Sequence, residues 1–416
     1  MDHDQQYFSH STPTSPPPHH YDVVTADLPD PLSATTWPSV LLTDAARAVA
    51  NKNHHRLNHL MWVLNELSSP YGDTNQKLSS YFLRSLFTHV TNSGHRCYHS
   101  LSSTADKILA FESTIKLELK FQQVSPWTTF GHVACNAAIM EAFAGEKKLH
   151  IVDVSTTFCT QWSTFMDAIA TRTNQTQTQT PHLRLTAVIA TRHGGAGVQT
   201  VMREIGDRME KFARLMGVSF TFNLLHHGGD LSELDMKRLD VKDDEALAVN
   251  FNGTLRSVCC HRRDYLLSMF HGLKPKILTI VEEEADLNVG VEFLKGFEEC
   301  LRWFRVYFEV LDESFPATSN ERLMLERSAG RAVVDLVACS PAESVERRET
   351  AVKWSRRLHA SGFSPVCCGD EVSDDVVALL RRYREGWSMG TAEMVAGMFL
   401  RWKGTPVVWA SAWKPI

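Results

Sequence analysis

From Leu149 onward, short apolar runs rich in β-branched residues alternate with longer stretches of helical period. The runs are 149–154, 185–190, 220–225, 246–251 and 277–281. Each is too short for an ordinary helix and too continuously apolar for a half-exposed strand, so each reads as a strand buried on both faces. Helical patterns separate them, notably 201–216 and 262–270. Strand and helix in alternation predict a parallel, doubly wound sheet with helices on its faces. Runs 306–311, 399–402 and 407–412 are further strand candidates. The last two lie close enough to form an antiparallel hairpin at a sheet edge.

The expected architecture is therefore α/β and Rossmann-like. In such folds a nucleotide approaches the turn after the first strand, where glycines let backbone N–H groups reach it. Here that turn reads Asp153-Val154-Ser155-Thr156-Thr157-Phe158-Cys159 and contains no glycine. Its side chains would fill the space of a dinucleotide or S-adenosylmethionine, so no cofactor is expected. Asp153, Ser155 and Asn250 fall at carboxyl ends of expected strands and are the cleft candidates for a small ligand. For Asp153 the favoured reading is a helix-capping or turn-stabilising carboxylate.

The chain before this core has a different grammar. Residues 1–36 hold Ser, Thr, His and a Pro16-Pro17-Pro18 run with few aliphatics, which predicts a flexible tail. Residues 37–145 read as an all-helical cap, and 146–416 as the core. Leu57, Leu60, Met61 and Leu64 form one apolar stripe, either a pairing surface or the cap's own core. The polar tract 173–180 reads as a surface loop.

The remaining motifs are weaker. Gly386-Trp387-Ser388-Met389-Gly390 matches a hydrolase nucleophile elbow, but a helical pattern precedes it and no Asp or His follows. Gly194-Gly195-Ala196-Gly197 follows the second strand, the wrong one for a dinucleotide fingerprint. Glu282, Glu283, Glu284 and Asp286 could hold Mg²⁺, but adjacent residues point apart, so a solvated acidic turn or a patch meeting a basic partner is expected. His226-His227 and Cys259-Cys260-His261 lack zinc-ligand spacing, and no metal is expected. The nine cysteines show no disulfide framework, and Cys259-Cys260 and Cys367-Cys368 read as reduced core thiols. No apolar run is long enough to span a membrane. The net charge of −5 disfavours a protein that coats a duplex. The basic stretch 347–357 reads as a solvated face, with phosphate contact or nuclear import as the alternative.

Taken in order, the motifs resemble the plant GRAS family. Leu149-His150-Ile151-Val152-Asp153 is similar to its VHIID motif, and Arg327, Gly330 and Arg331 fall in a stretch similar to its PFYRE region. Trp409-Ala410-Ser411-Ala412-Trp413 is similar to its closing SAW motif. Leu64-Asn65-Glu66-Leu67 and Phe158-Cys159-Thr160-Gln161-Trp162 resemble the SHORT-ROOT branch. The resemblance implies a helical cap over a methyltransferase-like core without enzymatic activity. It also implies a transcriptional regulator of plant development, in the nucleus and also in the cytoplasm. Its implied partners are a SCARECROW-like GRAS protein and zinc-finger factors of the indeterminate-domain (BIRD) group. Those zinc fingers would make DNA contact indirect.

Overall fold

The structure, a computed structural model, describes residues 37–107, 110–190, 196–287, 292–367 and 369–416. Six helices come first: α1 (Trp37–Ala50), α2 (His54–Leu67), α3 (Thr74–Val90), α4 (Gly94–Lys107), α5 (Phe111–Val124) and α6 (Thr129–Ala142). Strand–helix alternation follows: β1 (Lys148–Ser155), α7 (Gln161–Thr176), β2 (His182–Ala190), α8 (Ala196–Leu215), β3 (Ser219–His227), β4 (Ala246–Asn252), α9 (Arg263–His271) and β5 (Ile277–Glu283). Helices α10 (Phe293–Ser314), α11 (Asn320–Ala338) and α12 (Ala351–Ala360) lead to β6 (Phe363–Val366) and α13 (Asp370–Leu380). The chain closes with β7 (Trp387–Ala392), β8 (Val395–Trp402) and β9 (Thr405–Pro415).

The strands form one mixed sheet in the order β3-β2-β1-β4-β5-β9-β8-β7, with β6 also paired to β9. The first five strands pair in parallel, as their apolar runs predict. β9 then runs antiparallel to β5, β6 and β8, and β7 antiparallel to β8. The expected hairpin of β8 and β9 exists, but β9 lies inside the sheet and β7 forms the edge. Its interior position buries Trp409 and Trp413 completely.

Two apolar layers sandwich the sheet. Ile151, Leu149, Leu185 and Ala248 face Trp162, Phe165, Met166 and Ile169 of α7. Val152, Val154, Val249 and Phe251 face the other way, toward Leu266, Phe270, Trp354 and Leu358 of α9 and α12. Period-two alternation along β1 supplies both faces at once. At the sheet's other half, α6 packs so closely on β5 that a Cβ on Gly131 would stand 2.5 Å from Val281 Cγ1.

The helices 37–107 do not stand alone. α3 and α4 pack against α11, and α3 also packs against α10. A buried ion cluster ties them: Lys77 Nζ and Arg322 Nε lie 2.9 and 2.7 Å from the same oxygen, Glu326 Oε1. Gly330 is required there, because a Cβ would approach Tyr81 Cδ1 to 2.2 Å. α3 itself starts on a capping box in which Asp73 and Gln76 satisfy each other's backbone N–H groups.

Three local expectations are corrected. Residues 306–311 are not a strand but part of α10, whose Phe297, Leu301, Phe304, Phe308 and Leu311 form a buried helical stripe. The run's aromatic and β-branched content mimics a strand when the window is short. The tract 173–180 is helical to Thr176, with Thr173 buried and its Oγ1 donating to Ile169 O at 2.6 Å. Cys367 is exposed, and Cys259 and Cys260 are half-buried rather than core. The Gly194–Gly197 motif begins outside the described residues. Ser388 sits in strand β7 after a helix and a turn, so it has no elbow geometry.

Candidate functional site

The natural place for a site is the carboxyl edge of the parallel strands, where the strand order reverses between β1 and its neighbours β2 and β4. Register brings Asp153 of β1, Asn250 of β4 and Thr279 of β5 into one row. Asp153 is fully buried, and its carboxylate is engaged by neutral donors from the chain itself. Trp162 Nε1 and Ser155 Oγ donate to Oδ2, each at 2.9 Å, and the Cys159 thiol donates at 3.6 Å. Asn250 Nδ2 donates to Oδ1 at 2.9 Å. Asn250 Oδ1 in turn accepts from Thr279 Oγ1 at 2.8 Å. Gln161 extends the row by donating to Asn136 of α6 at 3.0 Å.

The three cleft candidates therefore come together, but facing each other rather than an open cleft. Burial pushes the Asp153 carboxyl up, and the donors of Trp162, Asn250, Ser155 and Cys159 pull it back only in part. Asp153 does not cap α7, whose N-cap Thr160 makes no side-chain capping bond. It ties β1 to β4 and α7 instead. The glycine-free turn also has an odd backbone: Phe158 and Cys159 stand at φ of 53° and 59°, the left-handed region that glycine enters freely. Sulfur-to-carboxylate contact and burial of Cys159 hold that conformation in place.

His150, also in the VHIID stretch, serves a second tie at the opposite end of β1. Its Nε2 lies 2.9 Å from Thr186 Oγ1 and its Nδ1 3.0 Å from Arg184 Nη2. Arg184 is paired in turn with Glu245. Burial first, and Arg184 next, lower the His150 pKa to about 4, so the ring is neutral at physiological pH.

The acidic run after β5 corrects an expectation. Glu282 and Glu283 do not form a solvated turn. They belong to an interior ion cluster with Arg256 and Arg348. Glu283 bonds Arg348 Nε, and Arg256 Nη1 stands 3.4 Å away. Glu346 Oε2 lies 3.4 Å from Arg256 Nε and 3.3 Å from Arg348 Nη2. Arg348 also stacks over the Trp303 ring at 4.7 Å. Burial would raise Glu283, but the two guanidiniums outweigh it and hold the carboxyl below its ordinary value. Glu282 accepts from Leu255 N at 2.8 Å, and burial pushes it up to about 7 despite Arg256.

That cluster also corrects the reading of 347–357 as a solvated face. Arg347 and Arg348 are buried and precede helix α12. Arg357 pairs with Glu349 at 2.8 Å and Asp264 at 2.6 Å, and Lys353 with Asp286 at 2.8 Å. A duplex phosphate would have to displace these carboxylates to reach Arg357 or Lys353, while Arg356 is exposed. Sequence reasoning missed the cluster because each half looked solvated without the other.

In the helical layer, Leu57, Leu60 and Leu64 are buried and Met61 is half-buried. The stripe closes the layer in this chain. The largest exposed apolar side chain of α2 is Trp62, 63% exposed. Arg327 of α11 is exposed, and Arg331 one turn later is half-exposed and donates to Ser328 Oγ at 3.1 Å. Among the described residues no cluster of three or more metal-ligating side chains occurs, and no helix is long and apolar enough to cross a membrane.

Known proteins agree with this architecture over nearly its whole length. The protein SHORT-ROOT of Arabidopsis thaliana is 55% identical over 425 residues, covering 97% of this chain and 79% of that protein. SHORT-ROOT 1 of Oryza sativa subsp. japonica is 50% identical, covering 91% of this chain and 68% of that protein. The crystal structure of SCL7 in Oryza sativa superposes with a TM-score of 0.76 at 26% identity, covering 92% of this chain and 100% of that one. The GRAS domain family itself matches residues 39–414, a span that holds both the Asp153 row and the Glu283–Arg348 cluster. A chain matched from α1 to β9 in this way belongs to the GRAS domain family.

Proposed function

We propose that this protein is a SHORT-ROOT-like transcriptional regulator of plant development that works through protein interfaces and not as an enzyme. The observation that carries the reading is the Asp153 row. At the position where an enzyme of this fold would hold a cofactor, the carboxylate is engaged by the chain's own Trp162, Asn250, Ser155 and Cys159. A carboxylate fully buried under four donors of its own chain is closed off from a ligand's hydroxyls. The names of similar proteins support regulation: SHORT-ROOT, and the Scarecrow-like transcription factor PAT1 of Arabidopsis thaliana at 30% identity.

In this reading helices in 37–145 carry pairing with a SCARECROW-like GRAS protein, and 146–416 forms the scaffold. Burial of Leu57, Leu60 and Leu64 moves the pairing surface outward to Met61 and Trp62. DNA contact comes from bound BIRD zinc fingers, because the net charge is −5 and Arg347 and Arg348 are buried. The protein acts in the nucleus, with some of it in the cytoplasm. The test is size-exclusion chromatography of the purified chain mixed with a SCARECROW-like protein, with and without a BIRD zinc-finger domain. A one-to-one complex is expected, weakened by Trp62→Ala. Separate elution of the intact chain and both partners at micromolar concentration would refute the reading.

A further inference from the structure

Two other parallel strands, β3 and β4, end differently from β1. β3 is followed by Gly229 at φ 153° and β4 by Gly253 at φ 68°. A Cβ on Gly253 would stand 2.7 Å from Thr156 Oγ1. Glycine is absent where a cofactor fold needs it, yet present on the next strands, and a cavity of about 300 Å³ opens there. Its floor is the carboxyl edge of four parallel strands, with Thr156, Ala190, Gly229 and Gly253 contributed one from each. Its far wall comes from the helical layer, through Tyr98 and Ser102 of α4 and Arg331 of α11.

Charge in this cavity is unbalanced. Arg256 and Glu346 both line it, and the Arg256 guanidinium is matched by Glu346 and Glu283. Arg331 lines it too, and among the described residues it forms no ion pair, only the bond to Ser328. Tyr98 and Ser102 of α4 line the same space, while the hydroxyls of Thr254 and Ser257 there donate to Val154 O at 2.9 Å and Thr254 O at 2.7 Å. A guanidinium fork without a carboxylate partner, beside a serine and a tyrosine, suits a carboxylate or phosphate group. The volume lies at the small end of ligand sites, and the place is the switch point where doubly wound sheets bind ligands.

We propose that this cavity is a binding site for a small organic oxyanion, whose anionic head meets Arg331 and whose body lies over the Gly253 turn. The occupant is distinct from the nucleotide excluded at β1, because it enters between the sheet edge and α4–α11. Binding there would bridge the sheet to the helical layer.

Isothermal titration and thermal melting of the full chain test this with three probes of one body: phenyl phosphate, benzoate and benzyl alcohol. Saturable heat and a raised melting temperature are expected with phenyl phosphate or benzoate and not with the neutral alcohol. Whichever anion binds identifies the head group. Arg331→Gln is expected to weaken that binding about tenfold while the ligand-free melting temperature stays unchanged. Ser102→Phe, which fills the space from the helical wall, is expected to abolish it. Absence of saturable binding by both anions overturns the proposal, as does equal binding by Arg331→Gln or by benzyl alcohol. None of these outcomes bears on the pairing with GRAS partners.

Discussion

Two strands of one sheet bury carboxylates at their carboxyl ends, and they do it by different means. At the end of β1, Asp153 is held by neutral donors: an indole, an amide, a hydroxyl and a thiol. At the end of β5, Glu283 is held by the guanidiniums of Arg348 and Arg256. The first arrangement leaves the carboxyl pKa raised, the second leaves it lowered. Position in the fold is the same, so the difference lies in the neighbours. The β1 network joins elements that are adjacent in the sheet. The β5 cluster recruits Arg348 from 65 residues further along the chain, and so pins the segment before α12 to the sheet.

The ionic end is therefore expected to be the more fragile. Arg348→Ala removes the main partner of Glu283 and the stack on Trp303, leaving a buried carboxylate short of charge. Loss of one member of a buried pair costs about 3–5 kcal/mol. Urea denaturation should show that loss at pH 7, against a smaller one for Asp153→Ala. There the Trp162 and Asn250 donors lose their acceptor but carry no charge, and the expected cost is about 2–3 kcal/mol. If Asp153→Ala proved the costlier of the two, the β1 row would be the principal tie of the sheet.

How much of this was legible in the sequence depends on range. β1 to β5 were readable, because a buried parallel strand writes itself as a short apolar run. Asp153 could be placed at a strand end, but not its donors. Asn250 meets it only through the register of β1 on β4. The charges were misread as a pair: Glu282–Glu283 looked solvated, and so did Arg347–Arg348. Glu283 and Arg348 in fact meet across 65 residues of chain, which no local pattern can reveal. The Leu57, Leu60, Leu64 stripe was ambiguous for another reason. A helix that closes its own layer and a helix that docks a partner show the same periodicity.

Glu282 refines the comparison within the β5 end itself. Its pKa of about 7 exceeds the ordinary glutamate value, with burial as the main cause. A carboxyl whose folded pKa is raised binds its proton more tightly when folded. Its contribution to stability is thus favourable at low pH and is lost as pH rises from the unfolded value toward 7. Between pH 5 and 7 that loss amounts to about 2 kcal/mol. Glu282→Gln keeps an acceptor for Leu255 N and removes the titration. The variant should match the parent at pH 5 and exceed it at pH 7. Parallel pH profiles for the two proteins would show that Glu283 and the arginines fully compensate the second charge.

The smallest effect is expected at the glycine-free turn, from Cys159→Gly. Two terms oppose each other there. Glycine relieves a left-handed residue at φ 59°, worth about 1 kcal/mol. It also deletes a buried thiol that contacts Asp153 at 3.6 Å, a loss of about the same size. Net stability should move by less than about 1 kcal/mol in either direction. Chemical denaturation measures this directly. A loss beyond about 2 kcal/mol would make the thiol a structural partner equal to the other donors to Asp153. Near-cancellation would mean that Trp162 and Asn250 alone keep the β1 end shut, and that the missing glycine is a consequence of that closure, not its cause.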